Sequence, residues 1–514
     1  MKKNIKLLTG LLAIAVLLCG CIVVDDFPDA EDAGMAGESS RAARDSIIVS
    51  IESDPNTLCA GFAANVMVSY VSRQIFDTLI LSELDGSYTP GLAESWDYIN
   101  NGKDIKFKIR DDVTYHNGEK MTVDDVVFCF NTIINAGYAD TSTSAMDRME
   151  KLDDHHVVLY FKDTYGPGLE CVSTEYMVVF PQSYYEADPN YFSRNPIGTG
   201  AYKFVEWKTG DRIILEANEN YFKGPAPIKN LTFKIYTDSS IAALALENGE
   251  IDVLSTPLQT DAANLKKNQN IQYSEVPSAT TTWVFFNFKG IFQNKTLREA
   301  IVHAIDKEAV LLGAMEGAGE TITSMYPNFL PGSMPDYQGR QYDPELAKNL
   351  LAEAGYPNGL NLLFQTRETE RYYKPVEVVQ SQLANIGVNI RVEKLESATW
   401  STDVWRASNF EINLISSTLG IMDFDDLYPL YRGGEGQNFC NVDIPALNEA
   451  FDINRYNTNE QARIQACHDI VRIMDEEAVV VPLYAAIRGL AANKNLNNVQ
   501  AHPTIDYDVF NWSW

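Results

Sequence analysis

The residue types that most often do chemistry are present, but they do not form a catalytic or metal-binding pattern. No segment fits a GxSxG nucleophile motif, an HExxH zinc motif or a Walker-type phosphate loop. Residues 198–203 begin like a dinucleotide-binding fingerprint, but Lys203 occupies the last glycine position, so we interpret the segment as a turn. The pair His155-His156 precedes a strand-like segment and is also interpreted as a turn. We therefore expect a protein that is not an enzyme and has no cofactor or metal site; a secreted hydrolase with an unrecognised site is the alternative.

An acidic run, Asp423-Phe424-Asp425-Asp426, is the second pattern with a chemical meaning. A buried cationic group is costly unless a carboxylate lies beside it. Closely spaced carboxylates therefore favour a ligand that carries positive charge. A solvated acidic loop is the alternative interpretation.

Length and charge limit the classes of protein that the chain can belong to. Its 514 residues are too many for one hydrophobic core, so we expect two or three lobes. The net charge of −29 repels nucleic acid and anionic lipid headgroups. These totals favour a soluble body whose partner is a small molecule or a cation, and they argue against a nucleic-acid partner.

The N-terminus is typical of an exported protein. Residues 1–6 are basic, and the apolar run 7–19 is shorter than the roughly 20 residues that a spanning helix needs. Leu18-Cys19-Gly20-Cys21 resembles the lipobox of bacterial lipoproteins. We predict that residues 1–20 are a signal peptide and that Cys21 is lipidated, with an uncleaved membrane anchor as the alternative. Removal of three lysines would change the net charge from −29 to −29 − 3 = −32.

The next segment, residues 21–45, is acidic and rich in Ala, Gly and Ser, which predicts a flexible tether. Five cysteines follow Cys21, and their wide spacing matches no zinc motif. We interpret most of them as small buried thiols.

Beyond the tether, strand and helix patterns alternate. Ile105, Phe107 and Ile109 alternate with polar residues as on a half-buried strand, and residues 231–235 and 283–288 are further strand candidates. Further strand candidates are residues 388–392 and 479–484, and helices are predicted at 297–305, 344–354, 375–386 and 459–477. Repeated helix–glycine–strand units indicate α/β lobes.

Several ordered segments resemble the extracellular solute-binding proteins that serve peptide and nickel ABC importers. Pro90-Gly91-Leu92-Ala93-Glu94-Ser95-Trp96 is similar to that family's early signature. The other matching segments are residues 107–119, 123–128, 195–202, 218–224, 297–306 and 342–359. Within them, Gly118 and Gly200 suit tight turns that need unusual backbone angles.

The resemblance implies an α/β, two-lobe, periplasmic-binding-protein-like clamp with an inserted third subdomain. The first lobe is expected to combine residues 46–65, 191–280 and 486–514. The inserted subdomain of that lobe is expected at residues 66–190, and the second lobe at residues 281–485. Closure around a solute would be a hinge motion, and the bound ligand would favour the closed state.

The resemblance also implies partners and a location. The expected partners are a small solute, with a peptide as the first candidate, and the permease and ATPase subunits of an ABC importer. We expect a monomer, held through its lipid anchor at the outer face of the bacterial cytoplasmic membrane, or the periplasmic side. A nickel chelate or an oligosaccharide is the alternative ligand within the family.

Ligand-binding candidates also follow from the resemblance. Peptide binders of this family often use an Asp near a Trp-x-x-Asp segment to pair with the peptide ammonium. The corresponding region here lacks that Trp, and Asp423 and Asp426 have the family's Asp-x-x-Asp spacing. Asp423 is the predicted ammonium partner. The candidates for lining the cleft are Trp283, Trp400, Trp405 and Arg367, for which core packing or an exposed face is the alternative.

Overall fold

A computed structural model describes residues 44–63, 66–137, 143–504 and 509–514. The predicted signal peptide, Cys21 and the tether up to residue 43 lie outside the described residues. Within the described ranges, no helix combines the length and apolar character that crossing a membrane requires.

Within the described part of the chain, the strands form three sheets. They are β1 Ser46–Ile51, β2 Ile80–Ser82, β3 Tyr88–Pro90, β4 Ala93–Ile99, β5 Asp104–Ile109, β6 Met146–Lys151, β7 His156–Phe161, β8 Tyr202–Lys208, β9 Arg212–Ala217, β10 Asn230–Ile235, β11 Val253–Leu254, β12 Ile271–Phe286, β13 Gly319–Thr321, β14 Leu360–Arg367, β15 Val388–Leu395, β16 Ile412–Thr418 and β17 Val480–Asn493.

Helices cover the sheets and connect their strands. They are α1 Val66–Ile75, α2 Val123–Ala136, α3 Gly168–Ser173, α4 Gln182–Ala187, α5 Pro189–Phe192, α6 Ser239–Glu247, α7 Gln259–Leu265, α8 Lys295–His303, α9 Lys307–Met315, α10 Pro344–Glu353, α11 Glu370–Ala384, α12 Ser397–Trp400, α13 Tyr428–Tyr431, α14 Pro445–Arg455 and α15 Glu460–Glu476. A π-helical turn, Ser401–Arg406, and short 3-10 turns such as Phe424–Leu427 complete the set.

The largest sheet runs through the whole body. Its strand order is β15-β14-β16-β12-β17-β11-β1-β10-β9-β8, and β13 pairs with β17. A four-stranded sheet, β4-β5-β7-β6, and the β2–β3 hairpin stand apart from it. The parallel strands β14 and β15 are joined through α11, as an α/β fold requires, and β1 also pairs in parallel with β10.

The protein has two lobes, and each has its own core. Val49, Phe107 and Phe233 belong to one continuous core, so the four-stranded sheet and the β1 end of the large sheet form the first lobe. Leu297 and Phe451 belong to the two cores of the second lobe, one around α8 and α11 and the other around α14 and α15. The α/β clamp expected from the sequence is confirmed, whereas the predicted limits of its lobes stay a prediction.

Strands β12 and β17 belong to both lobes. Residues 271–277 of β12 pair with residues 487–493 of β17, and residues 281–285 pair with 480–485. The register shifts between Pro277 and Thr281, where the two strands pass from one lobe to the other. A register shift interrupts the hydrogen-bond ladder and bends the strand locally. The two strands therefore form a paired hinge.

Local sequence signals explain where most elements begin and end. The side chain of Thr122 caps α2 together with Asp125, and Gly137 ends the helix in a left-handed conformation. The predicted cap of α10 is also confirmed, because Asp343 accepts a hydrogen bond from the Leu346 N–H at 2.9 Å. The strands predicted around Phe107 and Phe233 are β5 and β10.

Two element boundaries differ from the sequence prediction. Helix α11 begins at Glu370 instead of residue 375, because the backbone N–H groups of Tyr372 and Tyr373 bond the Thr369 carbonyl and form a turn before Pro375. Strand β17 continues past residue 484 to Asn493, because the first half of β12 pairs with it. Tertiary pairing of this kind leaves no local pattern in the sequence.

The glycines of the 195–202 turn are required by close packing. Gly118 has a φ of +86°, as predicted, but Gly200 does not adopt a positive φ. A Cβ at Gly200 would lie 2.6 Å from the Gln74 carbonyl oxygen, and one at Gly198 would lie 2.1 Å from the Ile75 carbonyl oxygen. The prediction of an unusual backbone angle at Gly200 is therefore wrong. The absence of a side chain lets the turn lie directly on the end of α1.

Two hydrogen bonds from the first lobe to a buried ion pair of the second lobe join the two lobes. Asp425 of the second lobe is 4% exposed and accepts hydrogen bonds from Arg455 Nη1 at 2.9 and 3.0 Å. The hydroxyl of Tyr165, which belongs to the first-lobe core, donates to the same carboxylate at 2.7 Å. The Gly166 N–H also donates to the Arg455 carbonyl at 2.7 Å. These contacts hold the lobes in a closed arrangement.

We predict that Gly198→Ala destabilises the protein by about 3 kcal/mol, the upper end of the range for overpacking, because backbone atoms of α1 cannot move away from the new methyl group. Gly436→Ala is the matched control, since a Cβ there would have no neighbour within 4 Å. The thermal unfolding midpoint of each variant tests this. Equal midpoints for the two variants would contradict the packing argument.

We also predict that Tyr165→Phe shifts the ligand-free protein towards an open form. The change removes one charge-assisted hydrogen bond between the lobes, worth about 1.5–3 kcal/mol, and leaves the Asp425–Arg455 pair in place. Tyr428→Phe is the control, because it removes a similar bond to Asp452 inside the second lobe. Small-angle X-ray scattering should show a larger radius of gyration for Tyr165→Phe alone. An unchanged radius would mean that this bond does not hold the lobes closed.

Candidate functional site

A cavity of about 610 Å³ lies between the two lobes. The first lobe contributes the β2–β3 hairpin, residues 81–88, and the segment around α3, residues 166–176. The second lobe contributes the loop after β16, residues 418–424, and residues 454–467, from the end of α14 into α15. Ile421 reaches across the cavity and packs in the first-lobe core. This contact brings the second-lobe wall against the first lobe beside the cavity.

On the second-lobe wall, Asp423 already forms an ion pair with an arginine of the same lobe. It caps the 3-10 turn Phe424–Leu427, and its Oδ1 accepts hydrogen bonds from the Asp425 N–H at 2.9 Å and from Asn454 Nδ2 at 3.1 Å. Its Oδ2 forms an ion pair with Arg463 of α15. Both carboxylate oxygens of Asp423 are thus engaged inside the second lobe.

Asp426 lies behind that wall and is not part of the cavity lining that the described residues form. It accepts a hydrogen bond from the Gly420 N–H at 3.1 Å, which fixes the loop after β16. Burial raises the pKa of Asp426 to about 7. Its role in this structure is to hold the loop that carries Ile421 and Asp423.

On the first-lobe wall, Glu170 of α3 faces the second lobe. The residue is 7% exposed, and its Oε2 accepts hydrogen bonds from the hydroxyls of Ser82 at 2.9 Å and Tyr88 at 3.3 Å. Its Oε1 accepts one from the Met422 N–H of the second lobe at 3.2 Å. Burial raises the pKa of Glu170 above its usual value. This first-lobe carboxylate therefore gains its third hydrogen-bond donor from the second lobe.

Carboxylates predominate among the charged groups of the cavity wall. The charged lining residues are Glu83, Asp85, Glu170, Glu175, Asp423, Glu460, Arg73 and Arg463. Both arginines are already paired with carboxylates, Arg73 with Glu175 at 3.1 Å and Arg463 with Asp423. The wall therefore attracts cations and repels anions.

The aromatic candidates from the sequence pack in the second lobe. Trp283 is 2% exposed and donates to the Tyr431 hydroxyl at 2.9 Å, and Trp400 is 1% exposed and donates to Asn413 Oδ1 at 3.1 Å. Trp405 stacks on Phe439. Because each ring is held by core partners, none of the three belongs to the cavity lining that the described residues form.

Arg367, like the three tryptophans, is held by other residues of the second lobe. Its guanidinium lies 4.1 Å from the centre of a Trp400 ring and donates to the Tyr372 hydroxyl at 3.1 Å. The structure thus brings Arg367, Trp400 and Trp405 together in one second-lobe cluster and places only Asp423 of the six candidates in the cavity wall. Ligand contacts for the other candidates stay a prediction.

Glu170 and Arg463 are among the wall residues that the sequence analysis missed. Glu170 stands alone among apolar neighbours, Leu169 and Cys171, and such an isolated charge in an apolar segment was the available signal. Arg463 belongs to an ordinary amphipathic helix, where a charged residue has no distinguishing mark. Within the described ranges, no group of three or more His, Cys, Asp or Glu residues could hold a metal ion.

Comparisons with known proteins agree with this architecture. Heme-binding protein A of Haemophilus influenzae is 27% identical over 485 residues, which cover 85% of this chain and 86% of that protein. The dipeptide-binding protein of Escherichia coli is 28% identical over 353 residues, which cover 63% and 65%. The solved structure of HbpA2 from Haemophilus parasuis shares the fold, with a TM-score of 0.83 at 24% identity over 91% of this chain and 99% of that one.

The family itself is established by a match over most of the chain. The model described as bacterial extracellular solute-binding proteins, family 5 Middle, matches residues 87–439. That range includes the α3 segment of the first-lobe wall, the second-lobe loop after β16 and the segments that carry the resemblance in the sequence. The chain therefore belongs to the family-5 bacterial extracellular solute-binding proteins, a family of substrate-binding proteins rather than enzymes.

Proposed function

We propose that this protein captures a short, positively charged peptide between its lobes and delivers it to the permease and ATPase subunits of an ABC importer. The observation that carries the proposal is the acidic cavity between the two lobes. Its volume, about 610 Å³, lies within the roughly 300–1,000 Å³ typical of small-ligand sites. A dipeptide-binding relative supports a peptide as the ligand.

Binding without chemical conversion is part of the proposal. The cavity wall offers carboxylates, hydroxyls and paired arginines, and its cysteine, Cys467, has a pKa raised by burial. A raised pKa keeps the thiol protonated and therefore weakly nucleophilic. This wall suits a ligand that is bound and released unchanged. The proposed binding unit is a monomer.

The ligand prediction is tested by native mass spectrometry of the purified protein. We expect a bound species that dissociates on acidification and fragments at amide bonds, with a mass of a few residues. A nickel isotope pattern, a porphyrin or hexose mass increments would each replace the peptide with another ligand class. Recovery of a cleaved product after incubation with intact peptide would favour the hydrolase alternative.

The predicted ammonium partner, Asp423, has a specific test. If a peptide ammonium binds Asp423, it must compete with Arg463 for the same carboxylate. Asp423→Ala would then weaken peptide affinity by roughly a hundredfold, since truncating one member of a buried ion pair costs about 3–5 kcal/mol. Calorimetric titration of a peptide identified by mass spectrometry measures this. Unchanged affinity would assign Asp423 a structural role alone.

We further propose that the mature chain is anchored through Cys21 to the outer face of the cytoplasmic membrane. The support is the short apolar run 7–19 followed by Leu18-Cys19-Gly20-Cys21. Metabolic labelling with a fatty acid should mark the wild type and Cys19→Ser, but not Cys21→Ser. The Cys19 variant is the matched control, because it changes the neighbouring thiol without removing the predicted acceptor. Labelling of Cys21→Ser would contradict the proposal.

A further inference from the structure

Glu170 differs from every other carboxylate of the cavity wall. Asp423 and Glu175 are paired with arginines, and Glu83, Asp85 and Glu460 are exposed to solvent. Glu170 is 7% exposed, and its hydrogen-bond donors are two hydroxyls and one backbone N–H. Among the described residues, none forms an ion pair with it. It is thus a buried acidic group whose hydrogen-bond donors are all neutral.

A buried carboxylate without a cation is energetically unfavourable in its charged form. The pKa of Glu170 is raised for this reason, and burial is the largest cause of the increase. The neighbouring charge of Asp423 acts in the same direction. A positive group entering the cavity would relieve both effects, because it would lie beside Glu170 and within the field of the acidic wall.

The position of Glu170 also links ligand charge to lobe closure. Its Oε1 bonds the Met422 N–H of the second lobe, while its Oε2 stays with Ser82 and Tyr88 of the first lobe. Opening the lobes would break the bond to Met422 and expose the carboxylate to water. Closing the lobes removes water from the Glu170 carboxylate. If Glu170 is to stay charged, a cationic group of the ligand must replace the lost hydration.

We propose that Glu170 is the counter-charge for a primary ammonium group of the ligand, and that it selects positively charged ligands during lobe closure. The inference rests on the proposed binding function of the cavity and deepens it. It assigns the ammonium to the first-lobe wall, whereas the sequence pattern pointed to Asp423 of the second. The ammonium binds beside Oε1 and Oε2, with Asp423 left to Arg463.

The test compares three isosteric variants in equilibrium dialysis. The probe is an equimolar mixture of two- to four-residue peptides of Ala, Leu and Lys, with their N-acetylated forms, and bound species are counted by mass spectrometry. Glu170→Gln should lose about a hundredfold in retention of peptides with free amines. Asp423→Asn should lose less than about tenfold, and Glu353→Gln, an exposed acid of α10 outside the cavity wall, should match the wild type.

A second measurement separates this role from a structural one. Glu170→Gln keeps a carbonyl oxygen of the same shape, and it removes a buried charge, so its ligand-free unfolding midpoint should equal or exceed that of the wild type at pH 7. Peptide binding by the wild type should be accompanied by proton release that increases as the pH is lowered from 7, measured by calorimetry in buffers of different ionisation enthalpy. The release should be absent from Glu170→Gln.

Each outcome decides one of the two ideas. Wild-type retention by Glu170→Gln, or a larger loss in Asp423→Asn, would overturn the assignment of Glu170. If the wild type retains no peptide, the proposed peptide ligand is wrong, and spermidine serves as a second ammonium probe. Spermidine retention that is lost in Glu170→Gln would sustain the assignment without the peptide. Retention of neither probe would overturn both.

Discussion

The structure depends on one backbone constraint: β12 and β17 stay hydrogen-bonded to each other while they pass from one lobe to the other. A single crossing chain would allow free rotation, whereas two paired strands restrict the lobes to bending about the register shift between Pro277 and Thr281. The paired strands thereby limit the direction in which one lobe can move relative to the other. Groups on opposite walls of the cavity, such as Glu170 and the Met422 N–H, can then meet in one defined geometry.

That geometry explains why the second-lobe loop is stiffened from within. The Asp426 carboxylate holds the Gly420 N–H, and Asp423 is held by Arg463 and Asn454. A loop that moved freely would lose conformational entropy on each closure, and this loss would weaken ligand binding. Preformed hydrogen bonds remove part of that cost. The acidic run thus works first as a scaffold that presents Ile421 and Met422 to the other lobe.

The sequence predicts features that depend on neighbouring residues. The Asp343 cap and the strand around Phe107 follow from spacing alone, and the two-lobe clamp follows from ordered family segments. The second half of β17 does not, because only its pairing with β12 makes it a strand. The same limit applies to the site. Asp423 was found through an acidic run, but its partner Arg463 lies 40 residues away in an unremarkable helix.

Glu170 shows the limit most clearly, since its contact with the Met422 N–H joins residues 252 positions apart. No local pattern states that these atoms meet, and the contact exists only in the closed arrangement. A ligand can shift the lobe equilibrium only by its differential affinity for the closed and open forms. The Asp423–Arg463 pair lies within the second lobe and can remain intact in both forms, whereas the surroundings of Glu170 change between them. A charge whose solvation changes on closure is the group through which ligand charge can control closure.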